Sequence, residues 1–409
     1  MLEASRRVGG LCASRSRDGY VFDYAPHILF TRDPVVRRLV WERLGDNLLT
    51  HSRRAYIYLD GVYVEYPFEA NLHALPPQLR EECLHGVEKR PRGEASNFYE
   101  YILHTMGPGI ARHYMVPYNE KVWKYPLNQM GVEWIRERLP QPSLEEVRRG
   151  AEAPLGKGFG PNREFWYPRE GGIGALANSL AQGLDIQLGA RVTGLKAKEG
   201  GVEVRYVAGG RERRVVSPVV LSSIPLPELV GLVEDVPSEV ERAAQALVHN
   251  SLVCVMLGVR RKGVSTMHWV YYPDRGLPFN RVSFPMNMSP QTVPPGRSSM
   301  LAEVTYRGER PDLEGVAHGV VEGLEEVGLI KGWEEVELWE AHGFKYAYVV
   351  YDLDHGGNVG VVHGFLKEMG VVPMGRFGEW EYLNMDKALL SGMRAAEEAK
   401  SVISGGSHL

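Results

Sequence analysis

Apolar and polar positions alternate along residues 55–66, where two β-rich runs, Tyr56-Ile57-Tyr58-Leu59 and Val62-Tyr63-Val64, flank Asp60-Gly61. That pattern predicts a β-hairpin. Residues 20–30 read as strand and loop, and 34–49 as a helix with Val35, Leu39, Val40 and Leu44 on one face. From 76 to 148 the text turns helical, with interleaved charges and breaks expected at Pro91, Pro108, Pro117, Pro126, Pro140 and Pro142. A glycine-led Ala/Leu helix at 171–182 precedes three strand candidates, 186–195, 202–207 and 213–221, separated by Gly-Gly turns. β-Branched and aromatic runs dominate 247–304, followed by a helix at 311–329 and a strand at 335–351. The last helix, 386–403, carries Leu389, Leu390, Met393, Ala396 and Ala399 on one face.

These elements describe a mixed α/β chain, and its 409 residues allow two or three domains and a buried cofactor. A formal charge of -4 without a basic stripe argues against nucleic acid as a partner. Three distant cysteines, Cys12, Cys83 and Cys254, fit neither a zinc site nor a disulfide scaffold, so a reducing, cytoplasmic setting is expected. No stretch reaches the ~18 apolar residues of a membrane span, and no metal-ligand spacing occurs.

The chemistry gathers in short motifs. A dinucleotide-binding unit needs a carboxylate at the end of its second strand for the adenosine ribose, and Glu3 is placed to supply it. Arg7 and the Gly9-Gly10 pair follow, in Leu2-Glu3-Ala4-Ser5-Arg6-Arg7-Val8-Gly9-Gly10-Leu11. Other landmarks are Phe22-Asp23-Tyr24-Ala25-Pro26-His27, the run from Tyr114 to Trp123 with Arg138 beyond it, and Trp269-Val270-Tyr271-Tyr272-Pro273 leading to Asn280-Arg281. Near the end stands Gly375-Arg376-Phe377-Gly378-Glu379-Trp380-Glu381-Tyr382-Leu383-Asn384-Met385-Asp386.

Taken together these motifs resemble UDP-galactopyranose mutases, within the amine-oxidase/protoporphyrinogen-oxidase-like FAD superfamily. The resemblance covers nearly the whole chain and implies a discontinuous Rossmann-like FAD-binding domain (1–50, 161–240, 351–409). A sheet-domain hairpin (51–70), a helical insertion (71–160) and an antiparallel substrate domain (241–350) interrupt it. It implies that Glu3, Arg7, Gly9, Gly10, His27, Gly375, Arg376, Asn384, Met385 and Asp386 hold FAD, with Asn384 and Asp386 capping the last helix.

Arg138 and Arg281 match the arginines that grip the substrate diphosphate, where forked guanidinium donors suit phosphate oxygens. Tyr382 and Tyr348 match the tyrosines that join them, although Tyr346 and Tyr351 compete with Tyr348 for that register. Tyr66, Glu69, Asn162, Trp269 and Tyr271 match residues lining the nucleotide-sugar pocket. Glu69 stands where eukaryotic-type mutases carry glutamine, and an ionised carboxylate accepts but cannot donate.

The implied activity is pyranose/furanose isomerisation of a nucleotide-sugar through reduced FAD, with NADPH or NADH as reductant. The alternatives are an FAD-dependent oxidoreductase of the amine-oxidase/protoporphyrinogen-oxidase type and a non-catalytic relative that has lost flavin. The last arises because the superfamily places a strand, a G-x-G-x-x-G turn and a helix before the position of Glu3. The sequence is accordingly expected to start one element late.

Overall fold

A seven-stranded sheet organises the computed structural model, which describes residues 1–135, 143–155 and 163–404. Its strand order is Val336–Val349, His249–Val259, Ser298–Tyr306, Arg281–Ser283, Trp269–Tyr271, Ala55–Leu59 and Val62–Glu65. All neighbours are antiparallel except Trp269–Tyr271 against Ala55–Leu59. The central strand His249–Val259 is buried from Asn250 onward, which explains its unbroken apolar text. Next to the edge strand Val62–Glu65, Ala55–Leu59 alternates buried and half-buried residues, and Asp60 (φ 49) and Gly61 (φ 80) make the hairpin turn.

Smaller parallel pairs, Leu2–Glu3 with Gln187–Leu188 and Val220–Ser222 with Val371–Pro373, bring distant parts of the chain together. The three strand candidates after residue 186 form an antiparallel meander. The fold is a mixed α/β fold, as the element pattern predicts.

Three differences have local causes. The helix expected over 34–49 is Pro34–Leu44: Asp33 caps it by accepting from Val35 N and Val36 N at 2.8 and 3.0 Å, worth about 1 kcal/mol. It stops at Gly45 (φ 51), and Leu48–Ser52 is a strand paired with Glu164–Pro168. Pro117 does not interrupt the helical region, because it sits in the first turn of Val116–Trp123, whereas the break expected at Pro108 is present: Gly107 (φ 75, ψ 165), just before it, leaves helical geometry and kinks Phe98–Ile110. The third is a helix, His355–Glu368, in a stretch for which the pattern predicts none.

The helical region 77–152 packs a cluster around Phe68, Phe98, Ile102, Met106 and Trp123 against the sheet hairpin. A second cluster fills the space between the sheet and helix Leu313–Glu326. Each fully buried Leu, Ile, Val or Phe there contributes roughly 1.5–3 kcal/mol. These clusters back the sheet, one face of which lines a cavity.

Candidate functional site

The cavity has a volume of about 350 Å³ and is walled by three distant parts of the chain. Leu11, Cys12 and the 24–30 loop form one side, Leu252, Trp269, Tyr271, Arg281, Phe344 and Tyr348 of the sheet another, and 376–388 closes it. Among the sequence-predicted residues it brings together His27, Trp269, Tyr271, Arg281, Tyr348, Arg376, Tyr382, Asn384 and Met385. Arg138 and Asn162 lie outside the described residues. A roomier open groove of about 780 Å³, beside Tyr58, Tyr99 and Arg275, contains none of the predicted residues.

Buried chemistry fixes the His27 loop. Asp23 accepts from Ser14 Oγ (2.6 Å), Tyr167 OH (2.6 Å) and Ile173 N (3.0 Å), tying its strand to two other elements. Burial pushes the Asp23 carboxyl up to about 6 in spite of those donors. Two residues on, Ala25 adopts φ 73, a conformation costly for a residue with a Cβ, and its carbonyl lies 3.0 Å from His27 Nδ1. Burial, with the charges of Arg376 and Arg281, lowers His27 to about 4. The ring is therefore neutral, and because a carbonyl only accepts, Nδ1 carries the proton and Nε2 is an acceptor.

Arg281 enters from the sheet. Its Nε and Nη2 meet the Glu303 carboxylate at 2.5 and 2.8 Å, and its Nη2 lies 3.5 Å from Tyr348 OH. Glu303 is fully buried on the neighbouring strand, directly across the register from Arg281.

Arg376 spans the gap between sheet and closing segment, donating to Ala347 O (2.8 Å) and Leu383 O (3.1 Å). Its guanidinium lies over the rings of Tyr382 (4.5 Å) and Tyr348 (5.2 Å). The tyrosine competition resolves by packing. Tyr348 lines the cavity, Tyr346 packs on His249, and Tyr351 stacks on His355 and accepts from Tyr382 N at 2.8 Å.

Asn384 and Asp386 depart from expectation. The helix starts at Met385, but among the described contacts neither side chain caps it; Asn384 lines the cavity, and Asp386 a shallow pocket beside Leu29 and Trp41. Glu3, Arg7, Gly9, Gly10 and Gly375 are not among the residues that line the cavity. Glu3 accepts from Ser5 N at 2.6 Å, and Arg7 lies over the Tyr24 ring at 4.7 Å while donating to its hydroxyl. A Cβ on Gly9 would meet Ala177 Cβ at 2.9 Å, whereas Gly10 and Gly375 face open space.

Tyr66 and Glu69 sit one layer behind Tyr271. The Tyr66 ring is 6.0 Å from that of Tyr271 and beneath the Arg53 guanidinium at 4.6 Å. Glu69 is 4 % exposed and its Oε1 has no hydrogen-bond partner; burial, opposed by Arg53, pushes it up to about 7.

Glu303 and Arg53 are residues that sequence reasoning missed. Glu303 carried a signal, as the lone charge in the otherwise apolar or hydroxyl-bearing run 298–306.

Two guanidinium groups, a neutral imidazole and several phenols on an otherwise apolar wall, with no carboxylate among its described residues, define a pocket for a flat, electron-rich, anionic ligand. The start of the 385–404 helix adds N–H groups that lack intrahelical partners. These residues fit a flavin ring. This is the architecture of a flavin-dependent α/β protein. The chain belongs to the flavin containing amine oxidoreductase family, whose model matches residues 1–400.

Among solved structures, it is similar to reduced UDP-galactopyranose mutase (TM-score 0.89, 24% identity, covering 98% of this chain and 88% of that one). A protein from Exiguobacterium sp. 255-15 assigned as a protoporphyrinogen oxidase follows (0.72, 16%, 97% and 92%). So does a CLA-producing fatty acid isomerase from P. acnes (0.64, 14%, 98% and 91%). At these identities the likeness is one of fold. Among the described residues no helix is long and apolar enough to cross a membrane, and no metal-binding cluster occurs.

Proposed function

We propose that the chain binds FAD in this cavity and isomerises a nucleotide-sugar between pyranose and furanose forms. The observation that carries this reading is the convergence of Arg281 and Tyr348 of the sheet with Arg376 and Tyr382 of the closing segment in one cavity. A hydride-transferring oxidase has no need of such a cluster, whereas a departing diphosphate needs fixed cations and hydroxyl donors.

FAD, when bound and reduced, supplies the nucleophile for the sugar's anomeric carbon, with NADPH or NADH as reductant. The protein's own share is electrostatic and positional. Arg281, oriented by Glu303, and the Tyr348 and Tyr382 hydroxyls receive the negative charge of the leaving diphosphate. Arg138 is proposed as the second guanidinium. Arg376 and the first turn of the last helix favour electron density at the cofactor's edge, and neutral His27 contributes an acceptor without adding charge. Trp269, Tyr271, Tyr66, Glu69 and Asn162 are proposed to shape the nucleotide end, and Glu3, Arg7, Gly9 and Gly10 to hold the cofactor's adenosine and phosphate portion.

The test is a flavin absorbance spectrum of the purified protein, followed by incubation with UDP-galactofuranose and dithionite. Conversion to UDP-galactopyranose supports the reading. Oxygen consumption with an amine or porphyrinogen and no sugar isomerisation would replace it with an oxidase, and a colourless protein unable to take up FAD would leave a relative that has lost flavin.

A further inference from the structure

The 116–123 helix carries near its end a lysine with an unusual set of partners. Lys121 is 7 % exposed, and its Nζ donates to three main-chain carbonyls: Tyr272 (2.9 Å), Asp274 (2.5 Å) and Phe279 (2.7 Å). An ammonium has three N–H donors, so all of them are spent on one loop. That loop joins strand Trp269–Tyr271 to strand Arg281–Ser283, and Trp269, Tyr271 and Arg281 all line the cavity. Its partners are carbonyl dipoles rather than a carboxylate. Burial draws the ammonium down to about 7, against the pull of Asp274.

The same helix end is held from the other side. A helix leaves its last carbonyls without intrahelical partners. Here Thr305 Oγ1 donates to the Lys121 carbonyl and Asn250 Nδ2 to that of Val122. Asn280, immediately before Arg281, donates to Thr305 Oγ1 at 3.2 Å, and Asn250 Oδ1 accepts from Tyr348 N at 3.1 Å. One network thus reaches the backbone on both sides of the Arg281–Tyr348 contact.

A buried charge is a poor source of stability, because an apolar side chain of similar length fills the space without the desolvation penalty. What a lysine adds is geometry. We propose that Lys121 is a positioning residue: by gathering three carbonyls of the loop that precedes Arg281, it sets the guanidinium where a substrate diphosphate meets it. Lys121 is not on the cavity wall and acts through the loop. The proposal rests on the diphosphate reading given above.

The test measures UDP and uridine affinity by tryptophan fluorescence in the wild type, Lys121→Met, Arg281→Lys and the double variant, all checked for fold by circular dichroism. Lys121→Met is expected to weaken UDP at least about tenfold and uridine less than about twofold, because the loss falls on the guanidinium–phosphate contact. Added to Arg281→Lys, it is expected to cost less than about a further twofold, since coupled residues are not additive.

Unchanged UDP binding in Lys121→Met overturns the proposal, and so does an equal loss of UDP and uridine or full additivity with Arg281→Lys. A wild-type protein that binds no UDP overturns the diphosphate reading itself. Should Lys121→Met not fold, Lys121→Gln, which keeps fewer donors and no charge, is read by the same criteria.

Discussion

Arg281 and Glu303 face each other across adjacent antiparallel strands and join through two hydrogen bonds, with the carboxylate wholly buried and the guanidinium reaching the cavity. The carboxylate occupies Nε and Nη2, fixing the plane of the fork, and holds the guanidinium firmly charged.

Removing Arg281 should therefore injure the protein twice. Arg281→Ala leaves Glu303 buried without its cation, a loss of about 3–5 kcal/mol, and is expected to abolish most turnover on UDP-galactofuranose. The paired variant Arg281→Met/Glu303→Leu should recover most of the stability and none of the turnover. Urea denaturation and a sugar-isomerisation assay separate the two; wild-type turnover in Arg281→Ala removes that residue from the mechanism.

Glu69 should make the protein less stable in alkali. Its folded value of about 7 lies above the ordinary glutamate value of 4.5, so the folded chain binds more protons between those limits and stability falls as pH rises through the window. Above it the full penalty applies, on the order of 2–3 kcal/mol. Glu69→Gln should abolish this slope and be the more stable protein at pH 8. Melting curves at pH 5 and pH 8 that shift equally in both proteins would contradict this.

His27 should not titrate across the neutral range. With its midpoint lowered to about 4 and Nδ1–H held by Ala25, labelled-histidine NMR should show one neutral tautomer from pH 5 to 8. Because the folded value is depressed, any stability linked to His27 is lost only as pH falls from about 6.5 towards 4. A midpoint near 6.5 in the folded protein would refute the arrangement.

The tyrosines allow a sharper comparison. Tyr348→Phe should weaken UDP binding by about tenfold to a hundredfold, the range for loss of one hydrogen bond to a charged group. Tyr346→Phe, whose ring packs on His249 and Trp380, should leave it unchanged. Equal effects measured by calorimetry would return the register to dispute.

What sequence could reveal followed the range of the interaction. Asp60-Gly61 names its hairpin because the turn is decided by two residues, and the last helix is legible as a helix, although its buried positions are Ser391, Ala395 and Ala399, with Leu389, Leu390, Met393 and Ala396 of the expected face only half-buried. Helix 355–368 was hidden because Gly356, Gly357, Gly360 and Gly364 mask helical propensity, and only Val362 and Leu366 are fully buried. At the glycine-led start of the 171–182 helix, a Cβ on Gly172 would meet Asp23 Oδ1 at 2.6 Å, so its glycine is demanded by packing.

At the site, His27, Arg281, Tyr348 and Tyr382 were legible through family motifs. The partners of those residues were not. Glu303 is 22 positions from Arg281, and the carbonyls held by Lys121 are 151 or more positions away. Such pairings are set by strand register and helix docking, which no local spacing encodes.

The cavity draws its walls from residues 11–30 near one end of the sequence and 376–388 near the other. During synthesis, at ~5–20 residues per second, tens of seconds separate the appearance of the first wall from the last. Throughout that interval the nascent polypeptide presents a half-built trough to its surroundings. Full enclosure of a cofactor must therefore wait until residues 376–388 have been made, and a ribosome that stalls before them yields a product whose trough never closes.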